Sequence, residues 1–135
     1  MNKSVWLARI LSIGGVLESV MGFGLLVAPS ALASFLLRSP LVGPGVVVAR
    51  LGGGGLLALG IACWGARKTP LAPASLGVSC GFLAYNSVAC ATLAWAGPTF
   101  ASGGLLALGA AVLHGILGVS LLGALLGQGE PSTGS

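Results

Sequence analysis

Charge is the scarcest property of this chain. Of its 135 residues only 6% are charged, against about 25% in soluble domains. Two acids and one histidine cannot contribute to the polar surface that a globule in water requires, so a soluble enzyme is excluded. The three cysteines, Cys63, Cys80 and Cys90, lie in apolar runs and read as small apolar filler. They form no CxxC pair and no Cys/His cluster of metal-ligand spacing, so neither a metal site nor a cofactor is expected. A single histidine cannot build a zinc site within one chain, and a bis-His haem would need His114 from two subunits. The basic residues neither cluster nor alternate with stacking aromatics, which excludes nucleic acid as a partner. The run Gly52-Gly53-Gly54-Gly55 lacks the Lys-Ser/Thr of a phosphate loop.

What is abundant is apolar: 56% of residues are hydrophobic, with 24 glycines besides. That excludes disorder, and glycine has no three-residue period, which excludes collagen. An integral membrane protein remains. Four apolar runs, about 6–28, 46–66, 73–96 and 103–126, each approach the ~20 residues that span a bilayer core. No period-2 alternation is sustained, so a barrel is not supported. The sequence predicts an all-α bundle of four transmembrane helices in one membrane domain, 1–127, with a disordered tail, 128–135.

Lys3, Arg9, Arg67 and Lys68 fall on one side of these spans, and Arg38 and Arg50 on the other. Basic loops favour the cytoplasm, so both termini are expected there, in a bacterial inner membrane. Lys3 and Arg9 before an apolar stretch, with Ala31-Leu32-Ala33 beyond it, partly resemble a signal peptide. The apolar run from Ile10 to Ala28 is longer than the usual signal core and carries Glu18 at its centre, so an uncleaved first helix is expected. Between the first two spans, Pro29 to Arg38 fits one short helix at the outer interface, with Leu32, Phe35 and Leu36 on one face. The alternative is a first helix continued past a kink at Pro29. Trp95 is placed in the outer aromatic belt, and Trp6 and Trp64 in the inner one.

Gly54-Gly55-Leu56-Leu57-Ala58-Leu59-Gly60 recurs as Gly103-Gly104-Leu105-Leu106-Ala107-Leu108-Gly109. A weaker echo links Ala28-Pro29-Ser30 with Gly97-Pro98-Thr99. Two readings stand: two parallel helical hairpins made by duplication, or chance in a chain rich in Gly, Ala and Leu. Either way, small residues every fourth position let backbones approach. The stripes Gly54-Ala58-Ala62-Ala66 and Gly103-Ala107-Ala111-Gly115 therefore predict a seam between the second and fourth spans. Gly77-x-x-x-Gly81 and Gly123-x-x-x-Gly127 are expected to add close contacts.

Polar residues at membrane depth mark the candidate site. Glu18 lies nine positions past Arg9, roughly 13 Å at 1.5 Å per residue. Gly14 and Gly22 flank it, one turn away on each side. Asn86, next to Tyr85, and His114 fall near the same depth on two other spans. An ionisable group in the bilayer is a functional-site hypothesis by default; the alternative is a polar clasp that fixes helix register. Arg50 is a further binding candidate, able either to reach Glu18 or to snorkel outward. No catalytic residue is assigned.

Four helices with a glutamate at the middle of the first resemble the small multidrug resistance transporters, whose carboxylate exchanges protons for cationic drugs. That match covers Glu18 and little else, and the family is shorter and lacks the connection from Pro29 to Gly45. The stretches Ala49-Arg50-Leu51-Gly52, Leu56-Leu57-Ala58-Leu59-Gly60 and Trp64-Gly65-Ala66-Arg67 resemble the DoxX-like group, as does Gly22-x-Gly24-Leu25-Leu26-x-x-Pro29. These are small bacterial four-helix membrane proteins of mixed function, some of which accompany oxidoreductases. The resemblance implies a fold more than an activity. The expected role is an accessory or assembly partner, in a homo-oligomer or a larger membrane complex, and not an enzyme. Two alternatives are a transporter using Glu18 as proton carrier, and an intramembrane enzyme with Glu18 as acid and His114 as base.

Overall fold

The computed structural model describes residues 2–99 and 104–127. Among them the chain is entirely helical, in five helices: α1 (Lys3–Val27), α2 (Pro29–Leu37), α3 (Pro44–Ala66), α4 (Pro73–Thr99) and α5 (Leu105–Leu126). Gly103 of the predicted stripe, part of the connection 97–102 and the tail 128–135 lie outside the described residues.

The helix boundaries follow from local chemistry. The Asn2 side chain accepts from the Ser4 backbone N–H at 3.1 Å and caps α1. Pro29 disfavours helical geometry at the residue before it, and Ala28 leaves the helix at φ −135°. Proline then opens α2, α3 and α4, where its missing N–H leaves no bond unmade. Gly43, at φ 54° and ψ −130°, makes the turn into α3 in a conformation that side chains resist. α4 runs on to Thr99 with Pro98 inside its last turn, past the stop expected at Gly97.

α1, α3, α4 and α5 are long and apolar enough to cross a membrane, so the chain is a small multi-pass integral membrane protein. α1 packs chiefly along α3, and α4 along α5, which gives the two hairpins. Contacts of α3 with α4 and of α1 with α5 close the ring, leaving α1/α4 and α3/α5 on its diagonals. Many side chains on the outside are large and apolar, among them Val20, Phe23, Val88 and Val119. Lipid solvates such a surface; water would not.

The seam is not where the small-residue stripes placed it. α3 and α5 stand on a diagonal, Ala58 and Ala62 face outward, and only Ala66 of the α3 stripe is buried. The close contact is between α1 and α3 instead. A Cβ on Gly15 would lie 2.9 Å from the Gly60 carbonyl, and one on Gly22 would lie 2.6 Å from the Gly53 carbonyl. Both pairs are reciprocal and seven residues apart on each helix, so the two backbones touch twice along one antiparallel seam. Gly22 therefore serves this contact with α3. The Gly77/Gly81 pair has nothing within 4 Å of a Cβ at either position, and neither has Gly123.

The repeated heptapeptide also occupies two different registers. Gly54 to Gly60 fills the middle of α3, whereas Leu105 opens α5. Gly60 is buried against α1, while Gly109 faces open space. α2 forms as the separate short helix. It touches α1, α3 and α5 chiefly through the buried Pro29 and Ala33, while Phe35 of the Leu32-Phe35-Leu36 face is 65% exposed. The Ser30 hydroxyl donates to the Leu41 carbonyl at 2.7 Å and ties the returning chain to α2.

Candidate functional site: a buried polar layer

On α1, Leu7, Leu11, Gly14 and Glu18 are buried at one repeating spacing. On α4, Ser75, Ser79, Phe82 and Asn86 are buried at the same spacing. These two faces meet across a diagonal of the ring, where the Phe82 ring occupies the space that a side chain on Gly14 would need. One turn further along, Glu18 comes level with Tyr85 and Asn86. α5 completes the layer: Ala107, Ala111, Gly118 and Leu121 turn inward, and His114 lies on the edge of that stripe.

Glu18 is 2% exposed and Asn86 0%; Tyr85 and His114 are half-buried. The Tyr85 hydroxyl lies close to the Glu18 carboxyl. The Tyr85 and His114 rings meet edge to face at 5.6 Å. His114 Nδ1 lies 2.9 Å from Asn86 Oδ1, and Asn86 Nδ2 donates to the Phe82 carbonyl at 2.8 Å. With its amide N–H directed at Phe82, Asn86 offers His114 an acceptor. Nδ1 therefore carries a proton and donates to Asn86 Oδ1.

The sequence thus brings Glu18, Asn86 and His114 to one depth, and the structure joins them. No hydrogen bond joins Glu18 directly to His114 among the described residues; Tyr85 lies near both. Arg50 is exposed on α3 and takes no part in the layer. Tyr85 is the member that sequence reasoning placed only as the neighbour of Asn86 and did not count as a candidate. Its signal is nevertheless present: the chain's one tyrosine, mid-span, carries a hydroxyl that needs a partner in lipid. The hydroxyls of Ser79, Ser12, Ser19 and Ser87 bond back to carbonyls of their own helices and stay outside the network.

Two shallow apolar grooves reach the layer from the sides. One, of about 390 Å³, runs between α3 and α4 past Gly52, Gly55, Leu56 and Leu59 to Tyr85. The other, of about 310 Å³, lies between α4 and α5 and is lined by Asn86, Cys90 and His114 among others. Among the described residues no three His, Cys, Asp or Glu side chains gather as metal ligands. No atom of the layer is both fully buried and without a hydrogen-bond partner among those residues. The arrangement can hold a proton on Glu18 beside a phenol, and it locks four side chains from three helices in one register. No protein-family model, curated protein or solved structure matches the chain.

Proposed function

We propose that this protein is an accessory or assembly partner in a complex of the bacterial inner membrane, with both termini cytoplasmic. The observation that carries this is the outward face of α4. Gly77, Gly81 and Ala84 are exposed along it, and open space surrounds both glycines. Small residues are of no use against lipid tails, but they let a second helix approach to backbone distance. The chain uses that chemistry internally at Gly15/Gly60 and Gly22/Gly53, and α4 presents it unused. The enclosed polar layer fits the same reading, as a clasp that keeps the bundle rigid. The resemblance to DoxX-like proteins, some of which accompany oxidoreductases, agrees with it.

The test is purification from native membranes in mild detergent, with mass measured by light scattering. The wild type should run as a stoichiometric assembly, with itself or a partner, and Gly81→Leu should release a folded monomer. A monomeric wild type overturns the proposal.

A second reading is favoured by one feature: the α3–α4 groove ends on Tyr85, and Tyr85 faces Glu18. A small hydrophobic or cationic solute in that groove would displace a proton from the carboxyl, as in a proton-coupled transporter. Tetraphenylphosphonium binding that rises with pH and disappears in Glu18→Gln would support it. The enzyme reading finds less support, since Glu18 and His114 do not share a proton path without Tyr85.

A further inference from the structure

Four of the six basic residues, Lys3, Arg9, Arg67 and Lys68, belong to one end of the bundle. The only acid among the described residues, Glu18, is about 13 Å further along α1 from Arg9, buried and turned to Tyr85. Arg9 of α1 and Arg67, the residue that caps the end of α3, line one groove of about 310 Å³. The rest of its wall is Val5, Ala8, Ser12 and Ile13, and the Ser12 hydroxyl is already engaged by the Ala8 carbonyl at 2.7 Å. Arg67 is held in place: its guanidinium carbon sits 3.8 Å from the centre of the Trp64 ring. Its Nε is buried without a hydrogen-bond partner, which no other buried side-chain N or O among the described residues is.

We propose that this groove binds the phosphodiester headgroup of an anionic glycerophospholipid, with Arg9 and Arg67 on the phosphate and an acyl chain along Val5, Ala8 and Ile13. A planar guanidinium donates paired N–H groups to phosphate oxygens, and stacking on Trp64 orders Arg67 before the lipid arrives. A buried N–H without a partner is costly, so the Arg67 head is under-satisfied where it stands, and a phosphate in the groove gives its guanidinium acceptors once the side chain turns to meet them. The apolar wall matches acyl methylenes. A zwitterionic headgroup would bring its ammonium towards two arginines, so repulsion selects the anionic lipid.

The experiment is native mass spectrometry of the full chain, titrated with phosphatidylglycerol or phosphatidylcholine of matched acyl chains. The wild type should retain phosphatidylglycerol preferentially. Arg67→Gln and Arg9→Gln should each weaken that retention about five-fold, the equivalent of about 1 kcal/mol per basic residue near an anionic surface. Arg50→Gln, at the other end of α3, should leave it unchanged. Inorganic phosphate at millimolar concentration should not compete, because it lacks the acyl chain. Equal retention of the two lipids by the wild type overturns the proposal without recourse to any variant. So does an equal loss in Arg50→Gln, which would mark a general charge effect, or displacement by phosphate, which would mark a soluble anion as the ligand.

Discussion

The Tyr85 ring meets the His114 ring at an interplanar angle of 84°, and its hydroxyl lies close to the Glu18 carboxyl. One side chain on α4 thereby lies against polar groups of two helices, Glu18 on α1 across the diagonal and His114 on the adjacent α5. The energetic coupling in the layer should follow these contacts. Glu18→Gln and Tyr85→Phe should be non-additive in unfolding from mixed micelles, and so should Asn86→Ala and His114→Gln. Membrane hydrogen bonds average about 0.6 kcal/mol in such cycles, so couplings near that size are expected. Glu18→Gln with His114→Gln should be close to additive. A Glu18–His114 coupling larger than the Glu18–Tyr85 coupling would mean that the carboxyl meets the imidazole and not the phenol.

The glycine seam makes a second test. Gly22→Leu and Gly60→Leu should separate α1 from α3, because a side chain at either position would meet α-helix backbone that cannot move aside: the Gly53 carbonyl for Gly22 and the Gly15 carbonyl, beside the Ser19 hydroxyl, for Gly60. Overpacking of this kind costs about 1–3 kcal/mol or more. Ala107→Leu should also disrupt, since Ala107 is 0% exposed. Ala58→Leu should be tolerated in the monomer because Ala58 faces outward. Equal losses at Ala58 and Gly22 in unfolding measurements would contradict the α1–α3 seam.

Topology follows from charge. A reporter joined after Ser135 should read cytoplasmic, and one inserted at Gly43, between α2 and α3, should read periplasmic. The opposite result at either site would refute the orientation.

Spans, their number and the short helix after Pro29 were legible because length, hydropathy and proline act locally. Which helices touch was not, because that depends on rotation about each axis. The small-residue stripe of α3 and the seam residues Gly53 and Gly60 lie on different faces of one glycine-rich helix. In such a helix composition cannot tell the packed face from the exposed one. The depth of Glu18, Asn86 and His114 was legible by counting 1.5 Å per residue. Their pairing was not, since a side chain of Tyr85's reach can bridge groups that counting alone would join directly.

The contact of Phe82 with Gly14 offers the most direct test of how the layer is set. Phe82 is fully buried, and its ring fills the place of a Gly14 side chain. Gly14→Ala should therefore destabilise the bundle by forcing the ring aside. Phe82→Leu should destabilise it as well, by leaving a void where the ring stood. Together the changes should cost less than the sum of the two, because the smaller leucine leaves room for the alanine methyl. The same displacement should reach Asn86, whose side chain bonds to the Phe82 carbonyl one turn away. In Gly14→Ala the proton on His114 Nδ1 should then exchange faster, as its acceptor Asn86 Oδ1 shifts, and Phe82→Leu added to it should slow the exchange again. Additive stabilities, with an Nδ1 proton indifferent to Gly14→Ala in nitrogen-15 spectra, would show that Phe82 and Gly14 do not set the register of the layer.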